Sequence, residues 1–142
     1  MRVRDLMTSD PSTLPSDASL GDAADLMASL RVRHLPLMDH VGGKDVVAGI
    51  VSDRDIQMAL GTDARASGPM GRDPRQAGAP VDWFMTQDVV SIGPDATASA
   101  LCALFVDLRV GAVPVMDGGR LVGIVSVLDV VRAAGPLLDG QG

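Results

Sequence analysis

Two stretches hold the residue types that could do chemistry. Gly49-Ile50-Val51-Ser52-Asp53-Arg54-Asp55 returns later as Gly123-Ile124-Val125-Ser126-Val127-Leu128-Asp129. In each, a β-branched apolar run predicts a buried strand. The serine then stands where a helix N-cap is wanted, and apolar residues at helical spacing follow. The aspartate three residues on lies in the first helical turn, beside unpaired backbone N–H groups and the positive end of the helix dipole. A hydroxyl, a carboxylate and N–H donors therefore meet at one strand end. That combination can hold an anion on the N–H groups and a sugar diol on the carboxylate. The same Ser-x-x-Asp spacing is close to a capping box, which needs no ligand, so both readings stand on the residues alone.

The elements that must position these residues occur twice. Val3, Met7-Thr8, Asp10 and Asp17-Ala18 match Val81, Met85-Thr86, Asp88 and Asp95-Ala96. Leu30-Arg31-Val32, Pro36 and Met38-Asp39 match Leu108-Arg109-Val110, Pro114 and Met116-Asp117. After Asp39 the first copy carries about four extra residues, which a hairpin loop tolerates.

Each copy opens with a short apolar turn, Asp5–Met7 or Trp83–Met85. A short strand follows, at Thr13-Leu14 or Val89–Ile92. Ser19 and Thr97 cap amphipathic helices whose apolar faces are Leu20, Ala23, Ala24, Met27, Leu30 and Leu101, Leu104, Phe105, Leu108. Strands His34–Met38 and Ala112–Met116 each contain a proline, which argues for an edge or a special contact. Gly42-Gly43 and Gly118-Gly119 mark hairpins into strands Val46–Val51 and Leu121–Val125, and helices Asp53–Leu60 and Val127–Ala134 follow.

The fold class is therefore α/β (α+β), two β-α-β-β-α repeats expected to pack with pseudo-twofold symmetry. The boundaries are residues 1–60 for the first repeat, 61–80 for a Gly/Pro-rich linker, 81–134 for the second repeat and 135–142 for a frayed tail. Roughly 55–60 residues per repeat is marginal for an independent core.

Composition narrows the function. The chain has 142 residues, 46% of them hydrophobic and 21% charged, sufficient for a packed core. The net charge of −6, three aromatic rings and no tyrosine argue against nucleic acid as a partner. No apolar run predicts a membrane span, and no signal-peptide region opens the sequence, so a cytoplasmic location is expected. Cys102, the single cysteine, is expected in the core. His34 and His40 lack the partners of a metal site, and Gly43-Lys44 lacks the spacing of a phosphate loop. No nucleophile–base pair suggests an enzyme.

The repeated motifs, taken together and in order, resemble a tandem pair of CBS domains (named for cystathionine β-synthase), also called a Bateman module. The resemblance runs from about Val3 to Ala134. It implies a regulatory ligand-sensing module with no required cofactor and no catalysis. The implied ligand is an adenosine-containing molecule, AMP, ADP, ATP or S-adenosylmethionine, held in a cleft between the repeats. It implies one site with Ser52, Arg54 and Asp55 beside Val89, Val110, Gly111 and Ala112. The other would use Ser126 and Asp129 beside Pro11, Val32, Arg33 and His34. The aspartates would take ribose hydroxyls, and the serines and helix ends would face phosphates. Because Val127-Leu128 replaces Asp53-Arg54, the Asp55 site is expected to take the more highly phosphorylated ligand. The resemblance also implies a homodimer, formed through Ile56, Met58-Ala59-Leu60 and Val130-Val131, and an unidentified regulated protein. The alternative is a dimerisation or protein-interaction module with no physiological nucleotide.

Overall fold

The computed structural model describes residues 1–61, 77–87 and 89–140. Expectations for 62–76 and for Asp88 lie outside the described residues. The chain divides into two compact units. One is continuous, Ser12–Val89; the other is discontinuous, Met1–Pro11 with Val90–Gly142.

In the continuous unit, β2 (Leu14–Pro15) leads to α2 (Leu20–Leu30), then β3 (His34–Val41), β4 (Lys44–Ser52), α3 (Asp53–Leu60) and a 3-10 turn at Val81–Phe84. The discontinuous unit holds α1 (Val3–Leu6), β1 (Thr8–Ser9), α4 (Ala98–Leu108), β5 (Ala112–Asp117), β6 (Arg120–Ser126) and α5 (Val127–Leu138). The mixed α/β fold class and the β-α-β-β-α order of the first repeat are as the sequence indicates. In the second repeat the strand expected at Val89–Ile92 is reduced to one bridge, Ile92 to Val115.

Each sheet is a β-hairpin completed on both sides. β3 pairs antiparallel with β4, and β2 lies parallel on the far side of β3. Beyond β4, Thr86 and Ile50 exchange backbone hydrogen bonds of 2.8 and 3.2 Å. The other unit repeats this order, with β1 on β6, β6 on β5, and Ile92 beyond β5. β3 is thus an inner strand although it carries a proline. Pro36 faces Ile50, whose N–H and C=O turn to Thr86 instead, so the missing proline N–H leaves no gap in the ladder.

The hairpin turns are Gly42-Gly43 and Gly118-Gly119, all four at positive φ, as a two-residue turn between twisted strands requires. The extra residues of the first repeat do not enlarge that turn. β3 and β4, at 8 and 9 residues, are each two longer than β5 and β6, at 6 and 7, so the added chain extends the ladder. The supposed tail also differs, since α5 continues to Leu138 through Pro136.

The opening segments complete the sheets of the opposite sequence repeat. Val3, fully buried, packs with Leu101, Phe105, Val113, Val115 and Val125. Its equivalent Val81 packs with Leu20, Ala23, Leu35, Leu37, Val51, Ile56 and Leu60. A methyl group added at Gly123 would stand 2.5 Å from the Met7 sulfur, and one at Gly49 would stand 2.6 Å from the Met85 sulfur. Met-Thr and Gly-Ile-Val-Ser, two motifs far apart in sequence, are thus the two sides of one contact. Each opening segment acts as a strap across the edge of a motif strand.

Two expectations about burial are corrected. Cys102 is exposed, because α4 is apolar on several faces and the buried ones belong to Leu101 and Phe105. Ile56 and Leu60, expected on a dimer surface, are 3% and 1% exposed in the core of their own unit. Met58, expected on the same surface, is 72% exposed. Among the described residues, no helix is long and apolar enough to cross a membrane.

Candidate functional site

The two motif strands end alike. In the continuous unit, Ser52 leaves β4 with extended backbone and its Oγ accepts from the Asp55 N–H at 3.1 Å. Asp55 Oδ2 accepts from the Ser52 N–H at 3.0 Å. In the discontinuous unit, Ser126 Oγ accepts from the Asp129 N–H at 3.1 Å, and Asp129 Oδ2 accepts from the Ser126 N–H at 2.8 Å. The capping box is therefore present in both copies, and it does structural work. It also fixes the carboxylate: one oxygen is tied to the strand end, which orients the other.

Each strand end lies beside the start of its hairpin partner. The Asp53 N–H donates to the Arg33 carbonyl at 2.8 Å, and His34 pairs with Ser52. The Val127 N–H donates to the Gly111 carbonyl at 3.0 Å, and Ala112 pairs with Ser126. Ser52, Arg54 and Asp55 thus share one end of the continuous unit with Val32, Arg33 and His34. Ser126 and Asp129 share the equivalent end of the other unit with Val110, Gly111 and Ala112. Val89 belongs to the continuous unit and Pro11 to the discontinuous one. Ser52, Asp55, Ser126, Asp129, His34, Val110, Val89 and Pro11 are half-buried; Arg33, Arg54, Val32 and Gly111 are exposed; Ala112 is buried.

The two ends differ in charge. Arg54 is exposed at the first turn of α3, and its backbone N–H donates to Asp53 Oδ1 at 2.8 Å. At the equivalent positions, Val127 and Leu128 present partly exposed apolar side chains. The nearby cation there is Arg132, whose Nη1 lies 3.9 Å from Asp129 Oδ1. Among the ion pairs of the described residues Asp55 has no such pairing and stands next to the exposed Arg54, whereas Asp129 faces an arginine of its own helix.

Sequence reasoning missed one feature of these ends. The residues before them, Ile50 and Ile124, hold the straps through Thr86 and Thr8. Arg31 and Arg109 end α2 and α4 in the left-handed region, at φ 57° and 53°. No glycine marks either position, so the sequence carries no signal for it. Among the described residues, no cluster of histidine, cysteine or acidic side chains could hold a metal.

Comparison with known proteins gives this geometry its context. The CBS-domain profile matches residues 3–62 and again 81–135. The chain belongs to the CBS-domain family. It is 31% identical over 127 residues to the CBS domain-containing protein YhcV of Bacillus subtilis, a match spanning 89% of this chain and 81% of the relative. The crystal structure of the CBS-domain protein ATU1752 from Agrobacterium tumefaciens superposes with a TM-score of 0.75 at 30% identity, over 93% of this chain and 92% of that one. The CBS domain pair of protein MJ0100, solved in complex with 5′-methylthioadenosine and S-adenosyl-L-methionine, matches with a TM-score of 0.76 at 26% identity, over 100% of this chain and 98% of that one. Enzyme names occur among longer relatives. The chain spans 13% of the A-adding tRNA nucleotidyltransferase of Geobacter sulfurreducens, with 30% identity over 128 residues, 90% of this chain. A CBS pair is a regulatory module and not a catalyst.

Proposed function

We propose that this CBS pair senses an adenosine-containing ligand, with Asp55 and Asp129 as the acids that take ribose hydroxyls. The supporting observation is the shared Ser–Asp strand end: each carboxylate is anchored through one oxygen at the N-terminus of a helix. A ligated CBS pair among its structural neighbours carries two adenosine compounds, which fits the same chemistry. An anchored carboxylate needs little ordering to accept from vicinal hydroxyls, and charge-assisted bonds of that kind are the strong ones. The N–H groups of the first turn and the dipole suit a phosphate or carboxylate.

In this reading Ser52, Arg54 and Asp55 are the ligand-binding residues of one strand end, and Ser126 and Asp129 those of the other. Arg54 makes the Asp55 set the one for AMP, ADP or ATP. Val127, Leu128 and the Arg132-paired acid suit a less charged ligand such as S-adenosylmethionine. Ligand binding would bias the contacts of the module with itself or with a regulated protein, a coupling of about 1–3 kcal/mol in typical regulatory proteins. We include a homodimer in the proposal, with Met58 and Val131 as the exposed members of the expected surface.

The competing reading rests on the capping boxes themselves. Both hydroxyls and both carboxylates already have partners, so the pattern is complete as a helix start. The module would then act through its surface alone. Calorimetric titration with AMP, ADP, ATP and S-adenosylmethionine separates the two. Sensing predicts at least one ligand binding well below millimolar. Heats of dilution for all four would leave the interaction reading standing.

A further inference from the structure

We propose that Met7 and Met85 are oxidation sites through which peroxide loosens the two straps. These methionines occupy equivalent places in the two repeats, and each thioether lies on a glycine of a motif strand. The approach is closer than any β-carbon would allow: the positions a methyl group would take at Gly123 and Gly49 are 2.5 and 2.6 Å from the sulfurs. The Cγ atoms are 3.0 Å from the same positions, so the whole end of the side chain is seated there. Both residues are half-buried, neither sealed in a core as Met27 is nor open as Met1 and Met58 are.

The chemistry balances with hydrogen peroxide as oxidant. A sulfur lone pair attacks one peroxide oxygen and the O–O bond breaks. An S=O bond forms, and the departing hydroxide takes the remaining proton and leaves as water. Sulfur loses two electrons and peroxide gains them. The product side chain is polar and chiral, and its oxygen demands a hydrogen-bond donor. The glycine notch and the apolar groups beside it were suited to a polarisable, hydrogen-bond-free sulfur. A polar oxygen buried there without a donor is costly, so the strap leaves.

Release has a local consequence. The strap residue next to each methionine, Thr86 or Thr8, pairs with Ile50 or Ile124. That isoleucine lies two residues before Ser52 or Ser126. Loss of the strap therefore frees the outer edge of the strand that ends in each Ser–Asp cap. The oxygen is removable by methionine sulfoxide reductases, so the change is reversible.

The test uses the full chain treated with graded hydrogen peroxide, read by peptide mass spectrometry and amide hydrogen exchange. Met7 and Met85 should each gain one oxygen at doses that leave Met27 unchanged. The amides of Ile50, Thr86 and Asp10, which bond to Thr86, Ile50 and Val122, should then lose protection, while α2 keeps its own. Treatment with both sulfoxide reductases should restore it. A Met7→Leu/Met85→Leu protein, close in volume and lacking the sulfur, should hold protection through the same doses. The proposal is overturned if neither methionine takes oxygen before Met27 does. It is also overturned if they do and protection is unchanged, or if the leucine protein loses protection equally.

Discussion

A single methyl group is a useful probe at Gly49 and Gly123, because the two notches are alike but not identical. At Gly49 the added carbon would lie 2.6 Å from the Thr86 carbonyl oxygen as well as from the Met85 sulfur. At Gly123 the Thr8 carbonyl is 3.0 Å away, and the nearer atom is the sulfur at the far end of a flexible side chain. A sulfur can swing aside, whereas a backbone carbonyl moves only with its strand. Gly49→Ala should therefore cost about 3 kcal/mol and Gly123→Ala about 1 kcal/mol, the two ends of the usual range for overpacking. Urea unfolding of the two variants measures this directly. Equal losses, or the reverse order, would contradict the notch as described. The capping pair makes a second residue-scale point. Ser126→Ala removes the acceptor for the Asp129 N–H and should cost about 1 kcal/mol of stability whether or not a ligand exists. A thermal melt without ligand detects it.

At the scale of elements, the straps explain why distant motifs recur together. Val3 and Val81 are each fully buried, yet each sits in a helical stub of only four residues. Truncating either to alanine removes buried methyl groups and should cost about 2 kcal/mol. Amide exchange should show the loss mainly in β5 and β6 for Val3→Ala, and in β3 and β4 for Val81→Ala. The opposite assignment would mean that each strap serves its own sequence repeat.

Much of this level was legible in the sequence. The Gly-Gly turns, the motif strands and the helix Asp53–Leu60 follow from local composition and period. The exchange of straps was not, because the repeat aligns each opening segment with the elements that follow it and says nothing of non-local partners. Cys102 misled for a related reason: Ala98–Leu108 is apolar almost all round, so its period cannot choose a buried face. Ile56 and Leu60 belong to a dimer surface only if α3 turns its apolar face to a second molecule, whereas that face packs into the core of its own unit. Of the candidate site, the Ser–Asp pairs were readable from spacing. The same spacing offered the capping boxes that close in both copies, whereas the left-handed Arg31 and Arg109 were not readable, since backbone sign leaves no mark in these residue types.

For the molecule as a whole, the division into units is asymmetric along the chain. Ser12–Val89 is one continuous stretch, whereas the other unit draws on both Met1–Pro11 and Val90–Gly142. Removing residues 1–11 takes Val3, Met7 and Thr8 from the second unit alone. Protection in β5 and β6 should fall toward that of a frayed region while β3 and β4 keep theirs. Uniform loss across both hairpins would contradict this independence.

The claim on which the functional account turns is that the anchored carboxylates read an adenosine compound. The most direct measurement is calorimetry of Asp55→Asn and Asp129→Asn against the unaltered protein, with the best ligand of the nucleotide panel. Asparagine keeps an oxygen for the serine N–H and so preserves the cap, but it removes the charge that strengthens a bond to a ribose hydroxyl. The account predicts that each substitution weakens its own binding event about 10- to 100-fold, with an unchanged melt in the absence of ligand. Binding that is unaltered in both variants would contradict it.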